Sequence, residues 1–288
     1  MPSFSLIDRF AGMLGLFGLA RRGSQQLREQ AARLRLPFGP LPEVPDSIWW
    51  QDGPPLQRLA DLPRSALSGP VQEDKAAAHA ALRALISVNA RPISEFDLRW
   101  VDGLGGVAEP GARFTRFEDY AASPACRNIR LISYKDFSRT LAQALPHHAS
   151  GETLHLRQAN WRGERYFWSG EQAPQAFACA IAYARRRGLT LQMPAVLSEY
   201  RLNRSGLEQL EAGYHVLAMP AAAWSDARFM RLLLTGMPYS RLALLRDSGG
   251  PEFLLLPRTQ NEANALGEGL REAGAADVCA WLRALLPS

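Results

Sequence analysis

Apolar positions recur at helical spacing in some stretches of this chain and at alternate positions in others, and the two patterns interleave. Near the start, Leu6, Ile7, Phe10, Met13, Leu14 and Phe17 fall on one face of a helical wheel, with Gly12, Gly15 and Gly18 as a smooth ridge beside it. A second helical pattern runs through SQQLREQAARLRL, carried by Leu27, Ala31 and Leu34 and ended by Pro37. VQEDKAAAHAALRALISVNA predicts a helix that is acidic in its first turn. KDFSRTLAQAL and APQAFACAIAYARRRG predict two more. The second has Pro174 near its start, Phe177, Ile181 and Ala184 on one face, and Gly188 as its stop. Strand-like alternation appears in EFDLRWV, ARFTRF, NIRLIS, LTLQM, VLSEYRL and YHVLAM. TLHLRQANW and ERYFW predict a hairpin closed near Arg162 and Gly163, and RLALLRD and PEFLLLP predict another around DSGG. Ser225 or Asp226 predicts the cap of a helix through ARFMRLLLTG, and two short helices close the chain.

Hairpins outnumber βαβ crossovers in this order of elements. It predicts an α+β fold, with a mixed or antiparallel sheet and flanking helices. The organisation reads as a helical N-terminal arm over residues 1–36, a Pro-rich extended brace over 37–70 and an α+β domain over 71–288. The brace is dense in proline, which favours extended chain, and carries Trp49 and Trp50 as anchors against the body.

Composition narrows the function classes. At 288 residues, 47% hydrophobic and 21% charged, the chain is globular rather than disordered. Of 33 basic residues only Lys75 and Lys135 are lysine, so the positive charge is almost all guanidinium. Guanidinium suits bidentate recognition of phosphate and carboxylate, although arginine, alanine and proline also rise together in GC-rich bacterial coding. Cys126, Cys179 and Cys279 are odd in number and follow no paired spacing, as expected of a cytoplasmic, reduced protein without a disulfide framework. The histidines lack repeatable ligand spacing, and Glu152 and His155 would point to opposite faces of a strand, so no metal is expected.

The hairpin RQANWRGERYFW interleaves Arg157, Arg162 and Arg165 with Trp161, Tyr166, Phe167 and Trp168. Guanidinium groups beside aromatic platforms are what single-stranded nucleic-acid binding uses. Period-two alternation, however, places Tyr166 and Trp168 on one face and Arg165 and Phe167 on the other, and such a face can equally be core. The helix that follows ends in Arg185, Arg186 and Arg187, which also complement its dipole.

Two short likenesses bear on catalysis. RDSGGP, residues 246–251, resembles the active-serine signature of the chymotrypsin-like serine proteases. AAHA around His79 resembles their histidine motif, with Asp102 between them in chain order. The helices predicted here stand where that family has β-barrels, and DSGG between two apolar runs reads as a hairpin turn. ERYFWSGEQAPQAFACAIAYARRRG, residues 164–188, resembles the aromatic strand and Ala-rich helix of ADP-ribosyltransferase-like folds. That resemblance implies NAD as cofactor, with His155, Tyr166 and Glu199 as the matching site residues. The His-Gly-Thr tripeptide and the Ser-Thr-Ser and Glu-x-Glu motifs of those folds are missing.

The leading expectation is a non-catalytic binding protein without a cofactor. Its unidentified partner, for which an anion is one candidate, would be held by Arg157, Trp161, Arg162, Arg165 and Arg185 to Arg187. The alternatives are the NAD-using enzyme and a single-stranded nucleic-acid-binding module. Phe10, Met13, Leu14 and Phe17 are expected to dock on the domain itself, on a second copy, or on a membrane surface without spanning it.

Overall fold

The computed structural model describes residues 22–107, 113–245 and 249–286. Phe10, Met13, Leu14 and Phe17 lie outside the described residues. The architecture is α+β, and the chain divides into two compact units. The first comprises the described residues within 22–42, 61–85 and 204–285, and the second those within 43–60, 86–203 and 286–288. The proline-rich stretch therefore contributes to both. Among the described residues no helix is long and apolar enough to cross a membrane.

The first unit is built on an antiparallel sheet of β1 (Leu67–Ser68), β7 (Tyr214–Met219), β8 (Ser240–Leu242), β9 (Glu252–Pro257) and β10 (Ala276–Asp277), in the order β1-β8-β9-β7-β10. Helix α1 (residues 22–32) and α7 (Ala227–Leu233) share a core with α8 (Asn261–Glu272), in which Ala31 and Leu34 meet Leu254, Leu266 and Leu270. The backbones of α1 and α8 approach so closely at Gly269 that a Cβ there would meet the Arg28 carbonyl. Arg28 then pairs with Glu268 at 2.7 Å and with Glu272. Helices α2 (Gln72–Arg83), α6 (Arg204–Gly213) and α9 (Val278–Ala284) complete the unit. Asp226 caps α7 by accepting from the Phe229 amide at 2.8 Å, as its position predicts.

In the second unit the mixed sheet runs β2-β6-β4-β5-β3, with β2 (Ile86–Asp97), β3 (Val101–Leu104), β4 (Leu154–Ala159), β5 (Tyr166–Trp168) and β6 (Gln192–Leu202). Strands β4 and β5 form the expected antiparallel hairpin. Beyond β3 the chain at Ile48 and Trp49 extends the sheet: Trp49 bridges Leu104, and the Leu104 amide donates to the Ile48 carbonyl at 2.6 Å. Gly103 admits this packing, since a Cβ there would collide with the Phe167 ring and crowd the Ile48 carbonyl. Helices α3 (Phe117–Ala121), α4 (Tyr134–Ala144) and α5 (Pro174–Arg187) share a core with one face of the sheet, where Leu154, Leu156, Trp168 and Leu197 meet Phe137, Phe177 and Ile181.

Several segments differ from their sequence pattern for identifiable reasons. ISVNA, read as the end of a helix, is the start of β2. Ile86 and Val88 are β-branched, and pairing with Leu202 and Tyr200 decides their state. LTLQM and VLSEYRL contribute to one strand, β6, despite Pro194. The partner strand slips register between Ile93 and Phe96, opposite this proline, so the missing N–H falls at an irregularity. ARFTRF and NIRLIS form no strands among the described residues. Within NIRLIS, Ile129 and Leu131 pack on the core while Arg130 and Ile132 face solvent, so alternation arises without a sheet neighbour.

Candidate functional site

The candidate site lies within the second unit. The β4–β5 hairpin carries the arginines expected to recognise an anion, and most of them bind the chain's own backbone. Arg162 sits in the turn at residues 160–162 and is 6% exposed. It donates to the carbonyls of Ser47 and Trp49 at 3.1 Å each and of Trp50 at 3.4 Å. Burial pulls its pKa down to about 10, assisted by the charge of Arg165 and opposed by Asp52 and Asp46. Arg165 donates to the carbonyls of Ser47, Asp102 and Thr115 and pairs with Asp46 at 2.6 Å. Both guanidinium groups also lie over the Phe167 ring, at 5.0 and 5.5 Å.

The aromatic residues of the hairpin are equally committed. Trp161 is buried, Trp168 stacks on Phe177 at 4.1 Å, and Tyr166 meets Phe96 edge-on at 5.1 Å. Arg157 is half-buried and faces the same side of the sheet as Phe167. An open cleft of about 320 Å³ lies beside the turn, lined by Val44, Pro45, Asp46, Trp161, Arg162, Gly163 and Arg165.

The three residues implied by the ADP-ribosyltransferase likeness do not share a face. His155 pairs with Val196 and Gln158 with Glu199, while Leu156 pairs with Trp168. Strand alternation therefore puts Tyr166 and Glu199 on the helix-covered face and His155 on the other. Glu199 is paired with Arg91 at 3.2 Å and lines a dimple of only about 10 Å³. Of the protease-like residues, Asp102 accepts from Arg185 at 3.1 Å, and the His79 ring bonds the Leu62 carbonyl at 2.7 Å within the first unit. Among the described residues no three histidine, cysteine or carboxylate side chains are grouped to hold a metal.

The end of α5 is arranged differently. Arg185 turns inward: it donates to the carbonyls of Arg99 and Val101 at 2.8 Å each and pairs with Asp102 and Glu118. Arg186 and Arg187 are exposed, with no carboxylate of the described residues in ion-pair distance, and Arg187 lies 5.7 Å over Tyr183. Tyr183 stacks on Phe137 at 6.0 Å, and Phe137 packs on Tyr134 at 5.8 Å. This ladder ties the last turn of α5 to the first turn of α4, where Tyr134 is 66% exposed. The Ser133–Asp136 capping box fixes that turn, and Lys135 beside Tyr134 is exposed. Arg127 and Arg130, on the segment leading to α4, are exposed and likewise unpaired.

On the other flank of α5, Trp100 is 58% exposed in the turn at residues 98–100. Arg185 grips the carbonyls on either side of it. The Asp97–Arg99 ion pair closes the same turn. Burial acts to raise the Asp97 pKa, but the hydrogen bonds and charge of Arg99 hold the carboxylate below its ordinary range.

Arg185 to Arg187 stand out in the sequence as a run, whereas Trp100, Tyr134, Lys135, Arg127 and Arg130 come to notice through their exposure in the fold. A usable signal was present: RNIRLISYK carries three cations and no acid.

A family profile described as a family of unknown function (DUF6685) matches residues 91–288. No curated protein matches the chain, and no solved structure does.

Proposed function

We propose, for a chain that belongs to this family of unknown function, that it is a non-catalytic binding protein for an anionic partner, engaged at the C-terminal end of α5. One observation carries the reading. Arg127, Arg130, Lys135, Arg186 and Arg187 are exposed and have no carboxylate within ion-pair distance among the described residues, while the carboxylates Asp97, Asp102, Glu118 and Asp136 are taken up by other arginines. Dipole complementation accounts for cations in the last turn of α5. It does not account for those on the segment before α4, which the aromatic ladder links to the same end of the helix. A polyanion gains from several such groups at once, and its counterions are released on binding.

The test is retention on a heparin column. The wild-type protein is expected to bind at low salt and to elute as salt rises. Arg186→Glu combined with Arg187→Glu is expected to elute much earlier with an unchanged melting curve. Flow-through of the wild type, or identical elution of the two proteins, overturns the reading.

A further inference from the structure

Trp100 and Tyr134 are large aromatic side chains left open to solvent beside the cationic last turn of α5, and each packs against another ring. Arg185 donates to the carbonyls of Arg99 and Val101, so the backbone on each side of Trp100 is pinned, and the Phe96 ring buttresses the indole edge-on at 5.7 Å. Tyr134 begins α4 behind a complete capping box and leans on Phe137, itself stacked under Tyr183. An exposed ring that is already immobilised loses little conformational entropy when something stacks on it.

We infer that the anionic partner is single-stranded nucleic acid, whose bases stack on Trp100 and Tyr134 while Arg186, Arg187 and Lys135 hold its phosphates. This inference rests on the proposed binding of a polyanion at the end of α5 and adds the identity of the ligand. Stacking platforms placed beside unpaired cations are the arrangement that binds single strands with little sequence preference. A duplex offers the same phosphates but keeps its bases stacked inside, which leaves the two rings without a task. A membrane surface calls for a broad apolar face. Here Arg185, which bonds the carbonyls beside Trp100, and Tyr183, which stacks on Phe137 next to Tyr134, are two residues apart on α5 and so point to opposite sides of it.

The experiment is fluorescence anisotropy with a labelled oligo(dT), the matching duplex of equal length and, separately, vesicles containing phosphatidylserine. The wild-type protein is expected to bind the single strand about tenfold more tightly than the duplex. Binding should also quench tryptophan emission. Trp100→Ala combined with Tyr134→Ala is expected to lose about tenfold or more in single-strand affinity, while keeping its heparin elution and melting curve. Equal affinity for the two nucleic acids, single-strand affinity unaffected by the double substitution, or binding to vesicles but not to the oligonucleotide overturns the inference and leaves polyanion binding standing. Loss of both heparin and oligonucleotide binding by the wild type overturns the two together.

Discussion

Arg162 donates to the backbone carbonyl of Trp49, a residue of the proline-rich stretch, at 3.1 Å. The same nitrogen reaches the Ser47 carbonyl, and its neighbour reaches that of Trp50. The guanidinium therefore acts as a template that supplies donors to an extended strand end, with the Phe167 ring on one side of it. Arg165 and Arg185 do comparable work at Ser47, Asp102 and Thr115, and at Arg99 and Val101. In the second unit Arg162, Arg165 and Arg185 thus form an internal set that bonds backbone carbonyls, distinct from the exposed Arg186 and Arg187 that end α5.

The two sets predict opposite effects on stability. Arg162→Met leaves three carbonyls without their charged donor and is expected to cost about 3 kcal/mol. Arg186→Ala is expected to change stability by less than about 0.5 kcal/mol. Urea denaturation of the two variants beside the wild type measures the contrast. Similar midpoints for both would contradict the division.

His215 in β7 predicts a pH dependence. The ring is 2% exposed, lies against Gly267 and bonds the Asn264 side-chain oxygen at 2.9 Å. Burial lowers its pKa, opposed by Asn264 and reinforced by the nearby charges of Arg258 and Arg271, with Glu268 pulling the other way. The unfolded chain therefore binds a proton that the native state resists, so this group makes stability fall as pH drops below 6.5. Above that pH its contribution is flat. Urea midpoints measured from about pH 7.5 to about pH 5 should decline, and His215→Gln should make the decline shallower. An identical slope in the variant would show that His215 does not contribute.

All three cysteines are buried, and their thiols should be inert in the native protein. The Cys126 contact and burial push the Cys179 thiol up, and burial with the nearby Asp277 and Glu211 carboxylates pushes Cys279 up to about 12. An aromatic disulfide reagent at neutral pH is expected to titrate none of them in the folded state and all of them in denaturant. Rapid reaction of a cysteine under native conditions would contradict this burial.

Much of the fold was legible because local signals agreed with tertiary placement. The Asp226 cap, the Pro174 start and Gly188 stop of α5, and the turn at Arg162 and Gly163 are each set by chemistry within a few residues. The start of β2 was hidden, since ISVNA follows a strong helix and becomes strand only by pairing with β6. The candidate site was half legible. The three arginines closing α5 stand out in the sequence, but nothing local says that Arg185 turns inward to the carbonyls flanking Trp100. The hairpin misled for a related reason: the acceptors of Arg162 lie more than a hundred residues earlier, so a structural template reads in sequence as a nucleic-acid platform.

The salt dependence of oligonucleotide binding tests the central claim most directly. If Arg186 and Arg187 each neutralise a phosphate, log K against log salt for oligo(dT) will be linear and steep in the wild type. In Arg186→Ala combined with Arg187→Ala the slope will be shallower by about 1.4, at about 0.7 for each cation removed. Equal slopes for the two proteins, or a wild-type affinity indifferent to salt, would contradict the claim that the end of α5 binds a polyanion.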